Sequence, residues 1–291
     1  MSTMWVRFYP AYATGNVLGW CENELFRKLW PIVKPHTVSD PFRAHSLINH
    51  VESVLEMPGN LIQCGVAEGG TGLMMAMALR EHGSGKKIFL CDSFQGLPPP
   101  REGMDDFFLK GQFRVEDEQN IYRLIRDYGL EDYVEVYHGW FADTLPTIAP
   151  DAEFCFAHVD VDLHDSAVEC VDQVYPKLVD GGIMAFDEYN HISPGVRIGV
   201  NKHLERTGEV IHLGPLSESF LIKGMTPDSC PFPTFERMIE NSAIHLATDR
   251  LQRDSFYRRF QREHLPYLQR RIAAFGDHCR MLGEDASGAR E

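Results

Sequence analysis

The acids with the most chemical promise lie in residues 154–190, FCFAHVDVDLHDSAVECVDQVYPKLVDGGIMAFDEYN. An apolar run over 154–159 ends in Asp160 and Asp162, and a second over 183–186 ends in Asp187 and Glu188. Between them, Val168, Val171, Val174, Tyr175 and Leu178 recur at helical spacing, which predicts a helix over 166–178. Asp180-Gly181-Gly182 reads as its end. Strand, helix, strand of this kind sets two parallel strands side by side, with their acids at the C-terminal ends where open α/β sheets bind ligands. Carboxylates gathered at one point repel each other unless a cation lies among them. Oxygen-only ligands suit Mg2+, Ca2+ or Mn2+ and suit structural zinc poorly. Asp160, Asp187 and Glu188 are the candidate ligands. Asp162 is less favoured, because it shares a face with Asp160 and a metal needs only one of the two. Taken singly, each acid serves equally well as a helix cap or a loop charge.

A second constellation precedes them. Gly65, Gly69 and Gly70 fall between a strand over 60–66 and a helix over 70–82. Glycine there permits a tight turn and close backbone approach to a ligand. The dinucleotide spacing G-x-G-x-x-G is absent. Gly65-xxx-Gly69, with Asp92 at the tip of the next strand (87–91), suits a nucleoside whose ribose hydroxyls are held by a carboxylate.

The elements needed to position these groups alternate along the chain. A helix over 41–57 comes first, then the strand and helix around the glycine turn, and the strand ending at Asp92. A loop over 93–113, with three consecutive prolines and Gly96, Gly103 and Gly111, is long enough to be functional. A helix over 116–128, a strand over 134–138, a loop over 139–150, the acidic strand–helix–strand unit and a helix over 194–207 follow. The last strands, 209–213 and 219–222, are too close for a crossover helix, so one sheet edge is antiparallel. The fold class is α/β: a doubly wound, mostly parallel sheet with helices on both faces. Residues 1–40, with Trp5, Phe8, Tyr9, Tyr12, Trp20 and Trp30 broken by prolines, read as irregular and form an arm that needs another surface to pack on or walls a pocket. Residues 41–223 form the main domain. Residues 224–291 read as a linker and a helical extension, in which Leu268, Ile272, Phe275, Cys279 and Leu282 make a short seam.

Of the 291 residues, 44% are hydrophobic and the formal net charge is −14, against the basic surface that nucleic-acid binding needs. Residues 230–291 carry ten Lys/Arg and nine Asp/Glu, leaving 18 against 33 before them, so the acidity belongs to the main domain. Seven cysteines with no C-x-x-C pair, three of them (Cys64, Cys91 and Cys155) in apolar runs, read as reduced thiols. No signal-peptide core or span of membrane length is present, and a cytoplasmic setting is the expectation.

The motifs LIQCGVAEGGTG, LCDSFQGLPPP, YHGWFADTLP, HVDVDLHDSA, YPKLVDGGIMAFDEYN and PGVRIGVNKHL follow in order over about residues 41–213. This series resembles the TylF/MycF-type macrocin O-methyltransferases, metal-dependent enzymes that use S-adenosylmethionine. The resemblance implies the class I methyltransferase fold, a Rossmann-like seven-stranded sheet with one antiparallel strand. It places the cofactor on Gln63, Gly65, Glu68, Gly70, Asp92, Ser93, Gly139 and Trp140, and Mg2+ on Asp160, Asp187 and Glu188. Gln63 stands where a glutamate is common, Glu188 where an aspartate is common, and His164 where an aromatic residue is common. The implied reaction is in-line methyl transfer to a hydroxyl of a small acceptor, such as a sugar moiety or another secondary metabolite. His164 is the candidate base, because imidazole titrates near neutrality, and Asp160 competes for that role. The loop 93–113 and the arm would close over the acceptor. A homodimer is expected. An NAD(P)-dependent oxidoreductase and a non-catalytic nucleoside-binding member of the fold are the alternatives.

Overall fold

The computed structural model describes residues 6–8, 23–226 and 228–229. The seam and helices expected beyond residue 230 lie outside the described residues. The elements are β1 (Val6–Phe8), α1 (Glu24–Val33), α2 (Pro41–Ser53), β2 (Asn60–Cys64), α3 (Gly70–Glu81), β3 (Ile88–Asp92), α4 (Asn120–Asp127) and β4 (Val134–His138). After these come α5 (Phe141–Thr144), β5 (Phe154–Val159), α6 (His164–Val174), β6 (Leu178–Phe186), α7 (Gly195–Thr207), β7 (Ile211–Leu213) and β8 (Ser219–Ile222).

The strands form one sheet in the order β1-β7-β8-β6-β5-β2-β3-β4. β8 runs against both β6 and β7, and the other pairings are parallel. The seven expected strands, one of them antiparallel, are therefore present, as in class I methyltransferases, but the antiparallel strand β8 lies between β6 and β7 rather than at the expected edge. An eighth, β1, pairs in parallel with β7 and comes from the arm. Side chains alternate across the sheet. Leu61, Leu90 and Phe156 join the core under α1–α4, while Ile62, Cys91 and Ala157 join the core under α6 and α7. Cys64, Cys91, Cys155 and Cys170 are buried free thiols.

Three local expectations are corrected. Asp180-Gly181-Gly182 does not end the helix. α6 stops at Val174, a 3-10 turn over Tyr175–Lys177 follows, and the glycines lie inside β6, where the register against β5 shifts. The helix expected from residue 116 begins at Asn120. Residues 24–33, expected to be irregular, are helical. Asn23 caps α1 by accepting the Phe26 N–H at 2.8 Å, and Pro31 sits in its last turn. Phe26, Leu29 and Val33 of α1 are at most 1% exposed in the same core as Leu47 and Leu73. At about 1.5–3 kcal/mol for each buried side chain, that face joins the arm to the main domain.

Candidate active site

The chain runs from β2 outward to β3 and β4, then crosses back to β5 and β6, so the strand order reverses between β2 and β5. The residues just beyond the strands extend the ladder by one more bond. Gly65 N donates to Cys91 O (3.0 Å), Asp160 N to Cys64 O (2.9 Å), Asp187 N to Val159 O (3.0 Å) and Gly139 N to Asp92 O (2.9 Å). Backbone register therefore sets Gly65, Gly139, Asp160 and Asp187 in a row along the C-terminal edge. A cavity of about 470 Å³ opens over this edge, within the range of small-molecule sites.

The glycine turn forms one side. At Gly65 (φ +86°) an added Cβ would stand 1.7 Å from Asp160 O, so no side chain fits between the turn and the acidic strand. Asp92 accepts Val66 N (2.6 Å) and Ala67 N (2.9 Å) on Oδ2 and Phe94 N (2.7 Å) on Oδ1. One carboxylate thus ties the turn to the root of the following loop, with hydrogen bonds worth about 1.5–3 kcal/mol each when a charged group accepts. Gly65, Asp92, Ser93, Gly139 and Trp140 line the cavity, as do Val66, Ala67 and Thr71. Gln63, Glu68 and Gly70 do not. The fully buried Gln63 lies behind the turn, donating from Nε2 to Gly65 O (2.8 Å) and Thr71 Oγ1 (2.9 Å). Glu68 points to solvent, and Gly70 abuts His36 and Thr37.

The acids form the other side: Asp160, Asp162, Asp187 and Glu188 all line the cavity. Atoms of His158, Asp160 and Asp187 lie within 4.8 Å of one another. His158, two positions before Asp160 on the same face of β5, is 1% exposed, and neither ring nitrogen has a hydrogen-bond partner. Its Nε2 is 3.9 Å from Asp187 Oδ1. Arg43 of α2 reaches in, pairing through Nη1 with Asp187 Oδ2 and, at 2.9 Å, with Glu188 Oε1. Glu188 Oε2 is buried with no hydrogen-bond partner, and His191 Nδ1 lies 3.8 Å from it.

Burial and crowding separate the titrations of these acids. Burial raises Asp160 well above the carboxylate range, helped by the charges of Asp187 and Asp162. Asp162 is pushed up to about 8 by burial and by Glu188 and Asp187, and Glu188 to about 7 by burial and Asp187. For Asp187 burial acts in the same sense, but His158 and the Arg43 guanidinium outweigh it and hold the carboxyl below its usual value.

The loop over 93–119 contains no helix or strand and supplies the roof. Its base is closed by Leu97 N to Gln112 O (2.9 Å) and Gly111 N to Leu97 O (2.8 Å). Leu97, Pro98, Phe107, Phe108 and Phe113 face the cavity, and His191 packs on Phe107 and Phe108 with centroids 4.8 and 5.4 Å away. Asp105, 1% exposed, pins the roof down by accepting the His164 N–H at the start of α6 (3.0 Å), where Leu163 offers no side-chain cap. Ser193 Oγ donates to Met104 O at 2.8 Å beside it.

A sequence profile of the macrocin O-methyltransferase (TylF) family matches residues 28–210. That span holds both sides of the cavity and its roof. The chain belongs to the macrocin O-methyltransferase family. It is accordingly an S-adenosylmethionine-dependent O-methyltransferase, and the oxidoreductase alternative falls. Among curated relatives of this macrocin O-methyltransferase family member, 8-demethyl-8-(2,3-dimethoxy-alpha-L-rhamnosyl)-tetracenomycin-C 4'-O-methyltransferase of Streptomyces olivaceus is 32% identical over 180 residues, 58% of this chain and 67% of the relative. Demethyldecarbamoylnovobiocin O-methyltransferase of Streptomyces niveus is 32% identical over 175 residues, 57% of this chain and 66% of the relative. The solved O-methyltransferase NovP superposes with a TM-score of 0.60 at 27% identity, covering 65% of this chain and 82% of that one. The calicheamicin methyltransferase CalS11 does so with 0.59 at 22% identity, covering 76% and 95%, and shares the fold.

In this macrocin O-methyltransferase family member His164, the expected base, does not line the cavity. The first turn of α6 directs its ring toward α7, with Nε2 3.2 Å from Lys202 Nζ and Nδ1 2.7 Å from Asp165 Oδ1. Asp162, the disfavoured acid, lines the cavity instead, with a left-handed backbone (φ +61°). Arg43 and Asp105 escaped the sequence reading, because each acts on groups far along the chain. His158, at a strand end, reads from the sequence as a structural histidine, and its period-two spacing to Asp160 is the signal that sets it beside the acids. No helix among the described residues is long and apolar enough to cross a membrane.

Proposed function

We propose that this methyltransferase acts on a hydroxyl of a sugar-bearing or otherwise hydroxylated secondary metabolite, with a magnesium ion held by Asp160, Asp187 and Glu188. The observation that carries this reading is the meeting of four acids with the glycine turn across one cavity at the strand-order reversal. The donor set fits a hard dication: ligand atoms of Asp160 and Asp187 converge within 4.8 Å beside the His158 ring, and the buried Glu188 Oε2 is left with no hydrogen bond. Magnesium there would lower the pKa of a bound hydroxyl and fix its orientation.

The chain's own groups do the rest. The backbone of Gly65, Val66 and Ala67, with Asp92, Ser93, Gly139 and Trp140, would hold the methyl donor against the strand ends, and Gly65 lets it approach the backbone. Asp162 accepts the acceptor's hydroxyl proton on a carboxylate oxygen. Phe107, Phe108 and Phe113 of the roof close over the acceptor and exclude water, and with Trp140 they present an apolar wall to its aglycone. The relatives named for a rhamnosyl-tetracenomycin and for a novobiocin precursor support an acceptor of this type. The test is calorimetry with S-adenosylmethionine, its demethylated product and NADPH, each with and without Mg2+, followed by turnover on a panel of glycosylated and simple hydroxylated acceptors. Binding of donor and product, and Mg2+-dependent transfer to a glycosylated acceptor, are expected. Full transfer in chelator would remove the metal from the reading.

A further inference from the structure

The acid cluster already holds a cation of the chain's own. Arg43 is the sole Lys or Arg among the described residues lining the cavity, facing Asp160, Asp162, Asp187 and Glu188. Two ionised carboxylates about 4 Å apart repel by roughly 4 kcal/mol at an effective dielectric of 20, so the cluster needs protons or counter-charge before any metal arrives.

Arg43 is also set in place rather than left to wander. Asp40 caps α2 through Oδ1, accepting Phe42 N (2.8 Å) and Arg43 N (3.1 Å). Its other oxygen, Oδ2, accepts Arg43 Nε at 2.7 Å. The near end of the guanidinium is thereby pinned to the helix start, and the far end projects across the cavity. There Nη1 alone serves Asp187 Oδ2, Glu188 Oε1 (2.9 Å) and Ser217 Oγ (3.3 Å). These two acids are the ones proposed to bind magnesium. A small dication requires its oxygens at about 2.0–2.1 Å in near-octahedral array, and a guanidinium hydrogen-bonded to one oxygen of each of these two carboxylates stands beside that space with a like charge.

We propose that Arg43 is a built-in counter-cation that competes with the divalent ion for Asp187 and Glu188, holding the metal-free site together and withdrawing when the ion enters. The inference rests on the metal reading above. It assigns Arg43 a positioning role. Asp40 keeps the withdrawn side chain tethered at Nε, so the exchange requires rotation of the guanidinium end rather than movement of α2.

The test is calorimetric titration of Mn2+, with no methyl donor or acceptor present, into the wild type, Arg43→Met, Asp40→Asn and Asp187→Asn. Melting of each protein in chelator and in saturating Mn2+ is measured alongside. Asp187→Asn defines which binding belongs to this site. Competition predicts Asp187-dependent binding at least about fivefold tighter in Arg43→Met than in the wild type, a smaller gain in Asp40→Asn, and a larger Mn2+-induced rise in Tm for Arg43→Met. Binding seen in Arg43→Met alone counts in favour. Equal or weaker binding in the variants, with the wild type binding normally, overturns the proposal and places Arg43 beside the metal as a partner. No Asp187-dependent binding in any of the proteins removes the metal reading and this inference with it. Should Arg43→Met not fold, Asp40→Asn decides alone.

Discussion

The Asp105 carboxylate fills the space that any side chain at position 195 would need: a Cβ on Gly195 would stand 1.8 Å from Asp105 Oδ1. The same oxygen accepts the His164 N–H. The roof loop and the starts of α6 and α7 therefore meet at one carboxylate.

Gly195→Ala should displace Asp105 and cost about 1–3 kcal/mol, the usual range for overpacking a filled interior. Asp105→Ala should cost about 1 kcal/mol as a lost helix cap. In the double variant the Gly195→Ala penalty should largely vanish, because the atom it strikes is gone. Chemical denaturation of all four proteins measures that coupling. Simple additivity would show that the two residues do not share the space as described.

Asp187→Asn removes a proposed metal ligand and also the charge opposite Arg43. Transfer should fall by about 100-fold or more, while affinity for S-adenosylmethionine, measured by calorimetry, stays within a few-fold. Equal loss of both would mean that the acid supports the whole cavity.

His164→Phe restores the aromatic type common in the family at a position turned away from the cavity, so transfer should stay within a few-fold of wild type. Asp162→Asn removes the proposed proton acceptor and should lower kcat by about 100-fold or more with little change in donor affinity. The reverse ranking of the two variants would return the base role to His164.

Glu209 predicts acid sensitivity far from the reaction. It is buried, accepts Tyr175 OH at 2.5 Å and Gly224 N at 2.6 Å, and has His203 Nε2 3.7 Å away. Burial alone would raise its pKa, but His203, Tyr175 and the Gly224 N–H together hold it below the usual 4.5. A depressed folded-state pKa contributes stability that is present above the unfolded-state value and is lost as pH falls through the folded-state value. Glu209→Gln should cost about 1–3 kcal/mol at neutral pH and flatten the part of the stability loss below about pH 4.5 that belongs to this residue. Urea midpoints from pH 3 to 8 give the comparison.

Asp160 and Asp187 were legible in the sequence because each follows an apolar run directly, and in a parallel sheet the end of such a run is the ligand-binding edge. Gly65 and Asp92 were legible for the same reason. Arg43 was not, since its target lies 144 residues away and nothing in its own helix marks the acids it meets. Asp105 was hidden likewise, 59 residues from the helix start it caps. Asp180-Gly181-Gly182 misled because a Gly-Gly pair after a helix usually ends it, whereas here it lets β6 bend where its register against β5 shifts. His164 was named from residue type alone, whereas the first turn of a helix decides which way a ring points.

The pairing of Val6 with Ile211 and of Phe8 with Leu213 puts the earliest of the described strands beside one made about 200 residues later. During synthesis β1 has no neighbour until β7 has left the ribosome, and β7 itself is held by β8, which follows it. Non-local pairing of this kind is slow to form and leaves edges exposed meanwhile. Closure of the sheet at β1 is therefore a late event in biogenesis, and deleting β1 should affect how faithfully newly made chains escape aggregation more than it affects the chemistry at the opposite strands.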